Sequence, residues 1–309
     1  MATKRKISNE KFWKKLTEGE YKEIIGFASK RENELDVQIR DNYLNIYYRG
    51  GNLLKISSRS LYFDEFYFHR VHCGDGVLRK THLKEKSKAG DKECIARWES
   101  YKKQRREMLN LLKNSGGMEI YSAKMKSIMN GWEEDLRTIG ISHDEKNDQQ
   151  QISMNNRGTT PLTVVDLEYA VSRTSSFYYD GGSKKEVPRF DIIAVNKSGQ
   201  LYVIELKTGL PSIDNVSGIR AHMDCFEHTI GSDSQNDFVN EMRELLRQKQ
   251  DLNLIDKGVF IDENKKPQFV FAFSDKPEKN QYEEFVKACK ERGYNGKVIY
   301  VGNDYQLKS

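Results

Sequence analysis

Asp191, Glu205 and Lys207 are the residues whose types and spacing could do chemistry. Two carboxylates beside an ammonium can hold a hard cation through oxygen and can move protons to or from water. They lie in the segment Pro188 to Gly209, PRFDIIAVNKSGQLYVIELKTG. Phe190 to Val195 and Leu201 to Lys207 are runs of β-branched and aromatic residues around Asn196-Lys197-Ser198-Gly199-Gln200, a pattern that predicts a β-hairpin. Gly199 suits the left-handed position of a three-residue loop in which Asn196 pairs with Gln200. That register sets Val195 opposite Leu201 and Asp191 opposite Glu205. Lys207, two residues on, points to the same side as Glu205.

Like charges directly across a strand pair repel, so stability alone does not call for this arrangement. Ile193, Val195, Leu201 and Val203 accompany the acids on one face, and Phe190, Ile192, Ala194, Tyr202, Ile204 and Leu206 form the other. A strand pair apolar on both faces is covered on both. The acids are therefore expected at the end of a largely buried sheet, where a bound cation would relieve the unpaired charge. The plainer alternative is a surface salt bridge in which Lys207 neutralises Glu205.

Asp191, thirteen intervening residues and then Glu205-Leu206-Lys207 resembles the active-site hairpin of the PD-(D/E)XK nuclease superfamily, which includes restriction endonucleases and RecB-like nucleases. The chain departs from the pattern in that Pro188 lies three residues before Asp191 rather than beside it. The resemblance covers roughly Met118 to Gly302 and assigns no narrower family. It implies a restriction-endonuclease-like αβββαβ fold, a mixed sheet flanked by helices. It implies a metal-dependent endonuclease that hydrolyses phosphodiester bonds, with DNA as substrate and restriction, phage defence or repair as setting. Asp191, Glu205 and the carbonyl of Leu206 would then hold Mg²⁺ or Mn²⁺. Lys207 would orient or deprotonate the attacking water. The superfamily adds an acid from the element before the hairpin, and Glu168 is the candidate, with Asp166 as alternate.

The elements that must position these residues can also be read. Pro161 opens a strand, Leu162 to Val171, in which strict alternation puts Leu162, Val164, Asp166, Glu168 and Ala170 on one face. Asp180-Gly181-Gly182-Ser183 turns the chain toward the hairpin. Asp214 can cap a helix with a stripe of Val216, Ile219, Met223, Phe226 and Ile230. Arg220 and His222 lie off the stripe, facing either the site or solvent. A second helix follows from Asp237 to Leu254, then a strand from Gln268 to Phe273, a helix from Gln281 to Arg292 and a strand from Lys297 to Val301. Before the first strand, Tyr121, Met125, Ile128, Trp132, Leu136 and Ile139 predict an amphipathic helix, and His143 to Thr160 a helix end plus loop.

Asn114-Ser115-Gly116-Gly117 is the expected seam between a domain at 1–115 and the hairpin-bearing domain at 118–309. The first reads as a small α+β module: a helix at 10–30, a hairpin from Glu34 to Ile56 turning at Arg49-Gly50-Gly51-Asn52, and an aromatic strand from Leu61 to Val71. Its aromatics either stack on bases or fill a core. His69, His72, Cys73 and His82 match no zinc spacing. Arg79 to Lys92 reads as a mobile basic segment, and Ala96 to Lys113 as a basic helix with Lys102, Lys103, Arg105 and Arg106.

Residues 1–115 carry 26 Lys and Arg against 16 Asp and Glu, and the rest of the 309-residue chain carries 25 against 30. A basic part beside an acidic one suggests that the former holds a polyanion, here nucleic acid. The mean hydropathy is −0.78, and no apolar run approaches a membrane span. Met-Ala-Thr-Lys-Arg-Lys lacks a signal-peptide core, and the four cysteines show no CxxC spacing, so a cytoplasmic protein is expected. Two further classes stay open: an RNA-cutting or regulated effector nuclease, and a non-catalytic module binding nucleic acid or a partner. A homo-oligomer or partner subunit is compatible with each.

Overall fold

The computed structural model describes residues 5–63, 80–138, 144–158, 160–171, 189–208, 218–231, 235–274 and 281–308; of 80–83, 132, 134–138, 144 and 208 it describes the backbone alone. The strand expected beyond Tyr62, His69, His72 and Cys73, the side chain of His82, the turn at 180–183, Pro188, Asp214 and Val216 lie outside what is described. The chain is mixed α/β and divides into two compact units: an amino-terminal one of 9–37 and 43–147, and a carboxy-terminal one of 1–8, 38–42 and 148–309. The seam expected at 114–117 falls inside the amino-terminal unit, between two of its helices. Residues 5–8 and 38–42, expected in the basic domain, pack with the hairpin-bearing unit.

The amino-terminal unit begins with α1 (Glu10–Thr17) and α2 (Lys22–Ser29). A single helix was expected across 10–30; Glu18 and Gly19 both close onto the Lys14 carbonyl and end α1 there. Asn9 caps α1 by accepting from the Phe12 amide at 3.0 Å, satisfying an end donor. β1 (Asp36–Arg40), β2 (Tyr43–Tyr48), β3 (Gly51–Ser57) and β4 (Leu61–Tyr62) follow in a four-stranded sheet of that order. β2 and β3 meet at Arg49 and Gly50, both with positive φ, so the turn is the two-residue kind that matches strand twist. α3 (Lys80–Lys88) occupies the segment read as mobile, and α4 (Lys92–Leu111) and α5 (Gly117–Thr138) complete the unit. Asp91 caps α4 by accepting from the Cys94 amide, and that bond holds its carboxyl below the usual range. The Tyr121 hydroxyl donates to the Leu53 carbonyl at 2.7 Å, tying α5 to β3.

The carboxy-terminal unit is built on a six-stranded sheet. α6 (Asp144–Asn155) precedes β5 (Leu162–Ala170), β6 (Arg189–Asn196) and β7 (Leu201–Thr208). α7 (Ile219–Thr229), α8 (Gln235–Asp251), β8 (Gln268–Ser274), α9 (Gln281–Glu291), β9 (Val298–Val301) and β10 (Leu307–Lys308) follow. The strand order is β10–β9–β8–β7–β6–β5: β5, β6 and β7 run antiparallel, and β8 and β9 join parallel to β7. Where a helix end plus loop was expected at 143–160, α6 is a full helix. Ile152 of α6 joins Leu162, Val164, Leu167, Ile192, Ala194, Ile204 and Leu206 in a core on one side of the sheet. Ile219, Phe271, Phe273, Phe285 and Cys289 form a second core with α7 and α9. In β7 itself Leu201 and Val203 of one face and Ile204 and Leu206 of the other are all buried, as two apolar faces require.

Candidate active site

The β6–β7 hairpin has the register expected from its sequence. Val195 pairs with Leu201 and Ile192 with Ile204, which continued by one step sets Asp191 opposite Glu205. Asn196 and Gln200 close the loop at 3.1 Å, and Gly199 takes φ +80, where a residue with a Cβ would be strained. The loop 260–266 backs this turn: the Asp262 amide donates to the Gly199 carbonyl at 2.9 Å and Lys265 Nζ to the Ser198 carbonyl. A Cβ on Gly199 would stand 2.7 Å from the Asp262 nitrogen.

At the other end of the hairpin the regular ladder stops. Asp191 Oδ2 accepts from the Leu206 amide at 2.9 Å, and Oδ1 accepts from Gln149 Nε2 of α6 at 3.1 Å. The alternation expected for β6 also breaks here: Ile192 belongs to the Ile152 core, whereas the Phe190 ring meets Phe226 and Phe269 on the other side. Asp191 occupies the point where the strand changes hands, which turns its carboxylate toward the β7 backbone.

Glu205 is buried at 5% exposure. Its Oε1 lies 3.4 Å from Lys207 Nζ and 3.1 Å from His222 Nε2, and those two nitrogens are 3.1 Å apart. His222 Nε2 can donate to Glu205 or accept from Lys207, but not both at once. Its Oε2 is buried and has no hydrogen-bond partner among the described residues. Burial first and the Asp191 charge second push the Glu205 carboxyl well up from its usual value, with Lys207 opposing. Surface salt bridge is therefore the wrong description: the Lys207 contact exists, but it is long, buried, and leaves half of the carboxylate unanswered.

Glu168 and Asp166 divide cleanly. A β-bulge between Val164 and Asp166 shifts the β5 register by one, so strict alternation fails. Without the bulge, the pairing of Leu162 with Asn196 would run on to set Glu168 opposite Phe190; with it, Leu167 pairs with Ile192 and Tyr169 with Phe190, leaving Glu168 opposite Asp191. Glu168 takes φ +50, uncommon for a residue with a side chain, and its carboxylate lies 3.8 Å from Arg189. Asp166 is fully buried between two guanidinium groups, 2.8 Å from Arg40 and 3.2 Å from Arg5, and Arg40 also donates to the Leu167 carbonyl. Its Oδ1 is bonded to Arg40, while Oδ2 faces Arg5 without forming a hydrogen bond.

The structure thus brings Asp191, Glu205, Leu206 and Lys207 together, sets Glu168 across from Asp191 in register, and commits Asp166 elsewhere. It adds Gln149 and His222. Of the two orientations open to His222, toward the site or toward solvent, it takes the first and is buried against Glu205. Gln149 carried no signal beyond a polar run. Burial pushes the Cys289 thiol up to about 12, away from the thiolate form. Among the described residues no three or more His, Cys, Asp and Glu side chains are grouped to hold a metal. Asp191 and Glu205 are the two carboxylates that the hairpin brings close, with the Leu206 amide on Asp191. Two carboxylates completed by water and phosphate is a common Mg²⁺ set, and the orphaned Glu205 oxygen fits it. No described helix is long and apolar enough to cross a membrane. No family model, curated protein or solved structure matches the chain.

Proposed function

We propose that the carboxy-terminal unit is a metal-dependent endonuclease that hydrolyses phosphodiester bonds of DNA, with the αβββαβ arrangement of the PD-(D/E)XK superfamily. The observation that carries this is the buried Glu205 oxygen without a partner, set beside a second acid that its own register forces close. Such a pair is destabilising unless something positive completes it. The order helix, three antiparallel strands, helices, strand, helix, strand supports the same reading.

Asp191 and Glu205, with the Leu206 carbonyl, would hold Mg²⁺ or Mn²⁺, which when bound supplies charge neutralisation at the phosphate and a lower pKa for water. The residues of the chain do the rest. Gln149 and the Leu206 amide fix the Asp191 carboxylate through both its oxygens. Lys207, held near Glu205 and His222, presents an ammonium to the attacking water and to the charge that develops on phosphate. Glu168 positions water from the neighbouring strand. Incubating the full chain with supercoiled plasmid in Mg²⁺, Mn²⁺ and EDTA tests the proposal. Cleavage with either metal and none in EDTA is expected; full activity in EDTA, or none with any metal on DNA, overturns it.

A further inference from the structure

The amino-terminal unit holds a second feature that the hydrolytic reading does not use. Between α4 and the segment 59–62 lies a pocket of about 810 Å³. That volume is within the range of small-molecule sites. Its wall carries Arg59, Lys102, Arg105, Arg106 and Lys113, against a single acid, Glu20. Glu20 is itself paired with Lys15 at 2.8 Å, so it does not neutralise the pocket. Lys102 has an exposed partner in Glu99, and the Arg105 guanidinium lies 5.9 Å over the Phe63 ring. Arg59, Arg106 and Lys113 form no ion pair with the described residues.

Five cations around one concavity repel one another, and the single acid of the lining, already paired with Lys15, offsets little of that charge. An anion of several charges would. The rest of the lining is not that of a plain polyanion patch. Leu61, Leu109 and Leu112 give an apolar floor, and Tyr62, 45% exposed, stands at the wall as a large aromatic left to solvent. An open aromatic ring beside guanidinium groups is how proteins hold a nucleobase and its phosphates together.

We infer that this pocket binds a phosphorylated nucleotide, its phosphates on Arg59, Arg106 and Lys113 and its base against Tyr62. The nucleotide is either free or part of a single strand, since both present the same base and phosphate. The inference does not depend on the Asp191 cluster being catalytic, because binding is measured in EDTA.

The test is titration of the full chain in EDTA at 100 mM salt with ATP, with a fluorescent dT15 strand and with inorganic tripolyphosphate. Wild type, the exposed double variant Arg59→Glu/Arg106→Glu, and Tyr62→Ala are compared. ATP or dT15 is expected to bind, with the double variant weakened at least about tenfold at an unchanged melting temperature, and Tyr62→Ala weakened about fivefold or more. Binding of ATP would assign a free nucleotide; binding of dT15 alone would assign a strand. Failure of both probes, or affinities indifferent to the double variant, would overturn the inference. So would tripolyphosphate binding as tightly as ATP with Tyr62→Ala silent, which would make the pocket a plain polyanion patch.

Discussion

Two acids of one sheet, Asp166 on β5 and Glu205 on β7, are buried almost equally and are treated in opposite ways. Asp166 sits between two arginines, one from residues 5–8 and one from 38–42. Glu205 lies against a second acid, shares one oxygen between Lys207 and His222, and has its other oxygen buried without a hydrogen-bond partner among the described residues. Each acid leaves one buried oxygen without a hydrogen bond, Asp166 Oδ2 and Glu205 Oε2, so what separates them is their company: two guanidinium groups around Asp166, a second acid beside Glu205. Residue type alone does not distinguish the two, since both are acids on strands with apolar neighbours.

That contrast can be broken at several points. The largest effect is expected from Asp191→Asn or Glu205→Gln, each lowering Mg²⁺-dependent plasmid cleavage about 10³-fold, the scale of removing one well-placed electrostatic group. A variant cutting at the wild-type rate would make Glu205 a second Asp166. Next comes Asp166→Asn, which strands two buried guanidinium groups and should lower stability by about 3–5 kcal/mol. Thermal melting measures it, and a melt within a degree of wild type would remove the structural half of the contrast. Glu168→Gln should do the reverse, melting like wild type while losing cleavage.

His222→Gln keeps polarity but changes what Glu205 and Lys207 can share, and should slow cleavage about 10–100-fold, as for groups that orient metal-binding side chains. Unchanged kinetics would return His222 to plain packing. The smallest effect sharpens the comparison most. In EDTA, Glu205→Gln removes a repulsion of up to about 1 kcal/mol and should melt no lower than wild type. Mg²⁺ should raise the wild-type melting temperature and leave the variant unmoved. A Glu205→Gln protein that melts several degrees lower in EDTA would show that the Lys207 contact is structural after all.

The hairpin was legible because its signals are local: two β-branched and aromatic runs, a glycine at a left-handed position, and a register fixed by loop length. The strand and helix order after it was legible for the same reason. Glu168 is the instructive case. It was the candidate supporting acid with Asp166 as alternate, and the strict alternation read for β5 fails, since it would have set Glu168 opposite Phe190. The extra residue at Val165 leaves no mark in composition, because the bulged stretch is as β-branched as its surroundings. Gln149 was missed because an amide in a polar helix looks like solvent-facing surface until the partner is known. The seam between the units could not be read either. Residues 5–8 and 38–42 join the carboxy-terminal unit through Asp166 and Gln248, contacts more than a hundred residues apart in sequence.

The backed turn at Ser198-Gly199 has a practical bearing. Hairpin tips are where chains are usually cut open, tagged or extended, because nothing leans on them. Here the 260–266 loop hydrogen-bonds to the tip, and it leaves no space for even one added carbon at Gly199. A label or affinity handle placed there would lift that loop off the hairpin and slacken β7 upstream of Glu205. Handles for studying this chain belong on other turns.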